Sequence, residues 1–244
     1  MSSELLVERK AALTVLTLNR PDRLNALNAS LVEALMEALR AAAADGTRLC
    51  VFRGSGKGFS GGFDFGGLDE MSDGDLVLRF LRIEQLLQAV WSAPFSTLAL
   101  VHGACFGAAA DLVSSCSRRI ATPDARFRMP GLRFGVVLGT RRLAAVVGMD
   151  KARRLLESSS VFDASQALEN GFLQELAEVD AWPEVTERVS AETTALPPAA
   201  QRALLAETRD ERSDADLAAL ARSVAEPGLR ARMQAYLEEV RSKR

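Results

Sequence analysis

What the 244-residue chain has little of narrows its chemistry first. It holds one histidine, His102, so no second histidine can help bind a metal, and a structural hydrogen bond is the role expected of it. The three cysteines, Cys50, Cys105 and Cys116, fit neither a metal-ligand spacing nor an even-numbered disulfide framework, which points to a reducing compartment. Charge of one sign is not in excess. Thirty lysines and arginines face 32 acids, and a net charge of -2 leaves no electrostatic footprint for nucleic acid or an anionic membrane. No apolar run reads as a membrane span: the nearest, Leu98 to Cys116, is broken by His102, Gly103, Gly107 and Asp111 and reads as buried core. The start, Met1-Ser2-Ser3-Glu4, lacks the basic and apolar regions of a signal peptide, so a cytoplasmic protein is expected. Internal repeats are missing as well.

What is present is enough apolar material, 48% of residues, for one large domain or a domain plus a helical appendage. Leu5 to Glu8 and Leu13 to Leu18 read as two strands separated by the polar Arg9-Lys10. Ser30 and Glu33 make a capping-box pattern ahead of a helix whose Leu31, Leu35, Leu39 and Ala42 share a face, ending near Asp45-Gly46. Two short apolar runs, Leu49 to Phe52 and Leu98 to Val101, each read as a strand leading into a glycine loop. Between them Ser72 or Asp73 caps a helix carrying Leu76, Phe80, Ile83, Leu87 and Val90, which Pro94 forbids from continuing far. Beyond Arg141 the pattern turns mostly helical. Asp163 and Gln166 form a further capping box, Gly171 a helix end before strand-like Phe172-Leu173, and Pro197-Pro198 a hinge into a helical tail. Strand, loop and helix in repeated order predict an α/β domain whose working loops gather at one end of a sheet.

The loops carry the chemistry. Gly56-Lys57-Gly58-Phe59-Ser60-Gly61 satisfies the dinucleotide pattern G-x-G-x-x-G and follows a strand, yet Gly62, Gly66 and Gly67 leave no clean helix start behind it. Lys57 is followed by glycine, so the phosphate-binding P-loop pattern fails, and Ser60 lacks the G-x-S-x-G spacing of a serine hydrolase. On local evidence the glycines could simply serve tight turns. The second loop, His102-Gly103-Ala104-Cys105-Phe106-Gly107-Ala108-Ala109-Ala110-Asp111, strengthens a functional reading. Its small residues let backbone approach a ligand, and amides at a helix start point outward unpaired.

Together the two loops resemble those of the crotonase (enoyl-CoA hydratase/isomerase) family. The likeness extends to Asn19-Arg20-Pro21-Asp22-Arg23-Leu24-Asn25-Ala26-Leu27, to Val161 through Gly171, and to Met233 through Glu239. The resemblance implies a ββα spiral core over residues 1–195 and a C-terminal helical trimerisation region over 196–244, assembled as a homotrimer or dimer of trimers. It implies an acyl-CoA thioester as partner and no separate cofactor, since coenzyme A is part of the substrate; no metal is expected. Backbone amides of Phe63 and Ala108 would form an oxyanion hole for the thioester oxygen, stabilising an enolate. Arg23, Leu24, Ala26, Gly61, Asp64, Phe65 and Gly107 would contact the substrate or its CoA moiety. Arg20 and Lys57 could also approach the CoA phosphates.

Departures from the family pattern bear on mechanism. Hydratases of the family use two glutamates. Here Asp111 occupies the first position and is the candidate catalytic acid/base, while Gly131, in Met129-Pro130-Gly131-Leu132, stands where the second glutamate is expected. The connection from Gly135 to Leu143 is also shorter than its counterpart. Efficient hydration is therefore not expected. Enolate chemistry with one carboxylate, for hydration, double-bond isomerisation or a related step, is the leading reading; thioester hydrolysis, decarboxylation or C–C cleavage, or acyl-CoA binding without turnover, are the alternatives. Asp111 could instead be structural, capping or pairing with Arg118, Arg119 or Arg133.

Overall fold

The computed structural model describes residues 3–242. Strand β1 (Leu5–Lys10) pairs antiparallel with β2 (Leu13–Leu18), and four parallel strands extend the sheet from β2: β3 (Leu49–Gly54), β4 (Ser96–Val101), β6 (Arg118–Ala121) and β9 (Glu175–Leu176), in the order β1-β2-β3-β4-β6-β9. A smaller sheet holds β5 (Ala104–Phe106), β7 (Arg126–Arg128) and β8 (Phe162–Asp163). Parallel neighbours cannot be joined by tight hairpins, so the chain must cross over between them. Here the crossovers repeat one course: a strand in the large sheet, an extended piece in the small one, then a helix. β4 and β5 lead to α3 (Ala108–Ser115); β6 and β7 lead to α4 (Thr140–Val147) and α5 (Met149–Ser158). The segment after β3 follows the same course, with Ser60 bridging to Cys105 before α2 (Asp73–Trp91). The expected ββα spiral is this repeat.

Helix α1 (Ala29–Ala44) buries Leu31, Val32, Leu35, Leu39 and Ala42, and α2 buries Leu76, Phe80, Ile83, Leu87 and Val90. These two apolar stripes lie in the main core with the inward residues of the sheet, such as Leu16, Leu18, Phe52 and Val101. Each fully buried leucine or phenylalanine contributes about 1.5–3 kcal/mol. The opposite face of the sheet is covered by α7 (Trp182–Thr194), whose Trp182, Val185 and Val189 meet Val51, Leu98, Leu100 and Ile120. After α6 (Ala164–Glu169) and α7 come α8 (Pro198–Glu207), α9 (Ser213–Ala225) and α10 (Leu229–Ser242). This tail lies on its own core: Asp73 at the start of α2 accepts from the amides of Gly228, Leu229 and Arg230, and Val137 donates to the Ser223 hydroxyl. Among the described residues no helix is long and apolar enough to cross a membrane.

Three local expectations are corrected. The cap of α1 is Asn28, whose Oδ1 accepts from the Leu31 amide at 2.8 Å; Ser30 falls inside the first turn, where its hydroxyl cannot cap. Arg9 and Lys10 belong to β1, and the chain turns at Ala11 with φ 51°; an edge strand leaves a face in solvent and tolerates such residues. Phe172-Leu173 is not a strand, because both amides are drawn to the Ala167 carbonyl at the exit of α6; sheet pairing starts only at Glu175 opposite Ile120. The caps at Ser72 and Asp163 form as expected, each a reciprocal box with the residue three positions on.

Candidate active site

The two glycine loops meet edge to edge. Ser60 donates to Ala104 O at 3.1 Å and Phe106 to Ser60 O at 3.0 Å, while Gly107 donates to Arg128 O at 2.7 Å. Gly62 sits at the closest point of approach. Its φ is +84°, and a Cβ there would lie 2.2 Å from Phe106 O and 3.2 Å from the Ala108 amide nitrogen, so no other residue fits without moving the second loop. The Phe63 amide leaves directly from this glycine.

Among the described residues neither the Phe63 nor the Ala108 amide is taken up by backbone pairing. Phe63 bridges Leu27 through its neighbours, Leu27 donating to Gly62 O at 2.7 Å and Asp64 to Leu27 O at 3.3 Å, so the peptide N–H of Phe63 faces away from Leu27. Ala108 is the first residue of α3, behind Gly107, and a first-turn amide has no partner inside its helix. The bulk of Phe63 is accommodated by turning its ring onto α2, stacked on Phe80 at 4.6 Å between centroids, with the Arg79 guanidinium 4.2 Å from its ring centre.

Phe63 and Ala108 line one cavity of about 260 Å³, together with Gly61, Phe65, Gly107, Asp111 and Gly131. Its walls are largely aromatic and aliphatic: Phe80, Phe106, Phe134, Val136 and Leu138. Asp111, 5% exposed, is the one carboxylate among its described lining residues; Arg128, Thr140 and Tyr236 are further polar groups there. Burial, reinforced by the neighbouring Glu84 and opposed by Arg142, pushes the Asp111 carboxyl well above the usual range. Its Oδ1 has no hydrogen-bond partner among the described residues. The structural partners expected for it are engaged elsewhere: Arg118 with Glu192, Arg133 with Glu239, and Arg119 with the carbonyls of Cys116 and Phe172. The charges that act on Asp111 are instead those of Glu84 and Arg142.

Four candidate contacts lie outside the cavity lining. Arg23 is exposed at the end of a 3-10 turn, Leu24 lies behind Gly61, and Ala26 offers its carbonyl to Arg20. Asp64 pairs with Arg20 at 2.8 Å and accepts from the Gly66 amide at 2.9 Å; partial burial raises its pKa, but these bonds outweigh it and hold the carboxyl below the ordinary value. His102 bonds Gly56 O through Nε2 at 3.0 Å and meets the edge of Trp182, away from the cavity. Among the described residues no cluster of three or more histidine, cysteine, aspartate or glutamate side chains is placed to hold a metal.

The family model for enoyl-CoA hydratase/isomerase matches residues 8–239. The chain belongs to that family. It is 33% identical over 183 residues to the Mycobacterium tuberculosis protein named "Probable enoyl-CoA hydratase echA6", covering 72% of this chain and 73% of the relative. It is 35% identical over 179 residues to the 2,3-dehydroadipyl-CoA hydratase of Escherichia coli K12, covering 71% and 69%. A crystal structure of an enoyl-CoA hydratase/isomerase family protein from Bordetella parapertussis superposes with a TM-score of 0.95 at 49% identity, over 97% of this chain and 99% of that one. An enoyl-CoA hydratase from Bacillus halodurans, 20% identical, shares the fold at a TM-score of 0.84 over 96% and 100%. The crotonase fold expected from the loops is thus the fold of this enoyl-CoA hydratase/isomerase family member.

Sequence reasoning missed three residues in the cavity wall and one behind it. Tyr236, Leu237 and Val240 bring α10 into the cavity wall, and nothing local in a solvent-rich amphipathic helix announces that. Glu84 did leave a signal: it interrupts the apolar stripe of α2, four residues after Phe80 and three before Leu87.

Proposed function

We propose that this family member acts on acyl-CoA thioesters and isomerises an enoyl group through a dienolate, with Asp111 moving the proton. The reading is carried by one observation: two uncommitted main-chain amides and a single carboxylate line the same small apolar cavity. In this reading the Phe63 and Ala108 amides donate to the thioester oxygen, where negative charge grows. Each such donor is worth about 2.7–4 kcal/mol in the transition state. The Asp111 carboxylate takes a proton from the α-carbon of a 3-enoyl thioester, and the electron pair spreads through the double bond onto the thioester oxygen. The same proton returns at the γ-carbon, and the double bond ends conjugated with the carbonyl. One carboxylate suffices for this exchange, whereas hydration must also activate a water, and Gly131 offers no side chain for that.

The cavity lies at or below the small end of ligand pockets, which suits a short acyl group. The segment from Arg20 to Ala26, with exposed Arg23, is proposed to run along the CoA moiety outside it. The proposed assembly is a homotrimer or dimer of trimers, to be measured by light scattering. The test of activity is a panel of 2-enoyl-, 3-enoyl- and saturated acyl-CoA esters, read by mass spectrometry for hydration or thiol release and by proton NMR for double-bond position. Conversion of 3-enoyl to 2-enoyl esters, far faster than water addition, is expected. Hydration of equal speed would overturn the one-carboxylate mechanism, and absence of acyl-CoA binding would overturn the function.

A further inference from the structure

The helices behind Asp111 bury a charged cluster that the cavity does not touch. Glu84 of α2 is 1% exposed and Arg142 of α4 is 2% exposed. Arg142 forks onto Glu84, Nη2 to Oε1 at 2.5 Å and Nη1 to Oε2 at 3.1 Å. Gln88 donates to Glu84 Oε1 at 3.1 Å, and Asp216 of α9 stands 3.6 Å from Arg142 while accepting from Arg141 at 2.6 Å. A buried ion pair is weak support for stability, since well-packed apolar residues in its place are often as stable or more so. The fork therefore calls for another role, and its position supplies one.

Asp111 abuts the start of α4. Gly139, the residue capping that helix with φ +62°, lies so close that a Cβ on it would fall 2.2 Å from Asp111 Oδ1. Three residues on, Arg142 keeps its Nε buried with no partner among the described residues, as Asp111 keeps its Oδ1. Two unpartnered polar atoms of complementary chemistry thus flank the same helix start. We propose that Glu84 and Arg142 are positioning residues of this site, which reach no substrate themselves and set whether Asp111 carries its proton.

The inference rests on the reading of Asp111 as the group that moves the proton. Glu84 on α2 disfavours a second negative charge at Asp111; Arg142 and the open N-terminus of α4 favour it. The remaining ionisable neighbours are the Cys105 thiol on β5, itself pushed up by burial and by Asp111, and, on the cavity side, Arg128 of β7 and Tyr236 of α10. Glu84 also lines a second cavity of about 300 Å³, which shares Thr140 and Leu156 with the first, so Glu84 borders a space that the proposed acyl site does not include.

The experiment follows the Asp111 carboxyl by carbon-13 NMR through a pH titration of the full-length protein, alongside the pH profile of kcat/KM with a 3-enoyl-CoA. Glu84→Gln should move the Asp111 midpoint to lower pH, raising its acidity about tenfold; Arg142→Met should move it to higher pH; KM should stay within about twofold in both. Opposite signs separate an electrostatic role from loosened packing. Should Arg142→Met not fold, the double variant Glu84→Gln/Arg142→Met, which removes the pair as a unit, must titrate above Glu84→Gln. Unmoved midpoints, or shifts of one sign in both variants, overturn the inference even if turnover depends on Asp111. Opposed shifts without turnover of any acyl-CoA uphold it and overturn the proposed function instead.

Discussion

The two walls of the cavity are made by different means. The loops after β3 and β4 present peptide amides, held by main-chain hydrogen bonds between Ser60, Ala104, Phe106 and Arg128. One turn into α3, beyond the Ala108 amide, a single carboxylate side chain, Asp111, lines the same cavity, with the buried charges of Glu84 and Arg142 acting on it. A main-chain wall depends on the path of the chain, so a bulky Phe63 and a small Ala108 both serve it. A side-chain wall depends on residue type, and one substitution empties a position, which is the role the family resemblance proposes for Gly131. The difference explains how a family site can keep one half of its apparatus and lose part of the other.

The sharpest way to break the comparison is at Asp111. Asp111→Asn should lower turnover about 10²–10⁴-fold while acyl-CoA affinity, measured by calorimetry, stays within about threefold; retained activity would remove Asp111 from the mechanism. Gly62→Ala attacks the other wall. Its Cβ would collide with the Phe106 carbonyl and push the Phe63 and Ala108 amides apart, with an expected loss of about 10²–10³-fold in kcat. Tyr236→Ala, which strips α10 from the cavity, should weaken binding by about 1 kcal/mol, roughly a fivefold rise in KM, and leave kcat nearly unchanged. Ala108→Ser should change kcat/KM by less than about threefold, because in the proposed mechanism the amide and not the side chain serves the thioester oxygen.

Stability against pH sharpens the comparison from another direction. The Asp111 carboxyl binds its proton more tightly in the folded protein than in the unfolded chain, where its pKa is about 3.9. The folded state thus holds the extra proton above that value, and the stability it confers, complete below it, is lost as pH rises through the folded midpoint. Asp111→Asn has no such proton to lose. Thermal denaturation should show the variant gaining on the native protein as pH rises from 4 to 8, whereas Gly62→Ala should shift the melting point equally at every pH.

Much of the main-chain wall was legible in the sequence, since strand runs, glycine spacing and a helix start each have local physical causes. The caps at Ser72 and Asp163 were legible for the same reason. Asn28 was misplaced because Ser30-x-x-Glu33 offers an equally good local pattern two residues on, and only the extended backbone at Asn28 decides between them. Phe172 and Leu173 have strand-like side chains, yet their amides are claimed by the end of α6, a competition that composition does not record. The side-chain wall was legible only at Asp111, because Arg142 looks no different from the exposed Arg141 beside it until the fold brings Glu84 of α2 against it.

The sequence by itself determined the loops, the order of strands and helices, and the lack of a side chain at Gly131, all properties of a residue and its near neighbours. Tertiary structure alone decided that α10 closes the cavity and that Glu84 and Arg142 stand behind Asp111, since burial and charge proximity are set by which distant helices share a core.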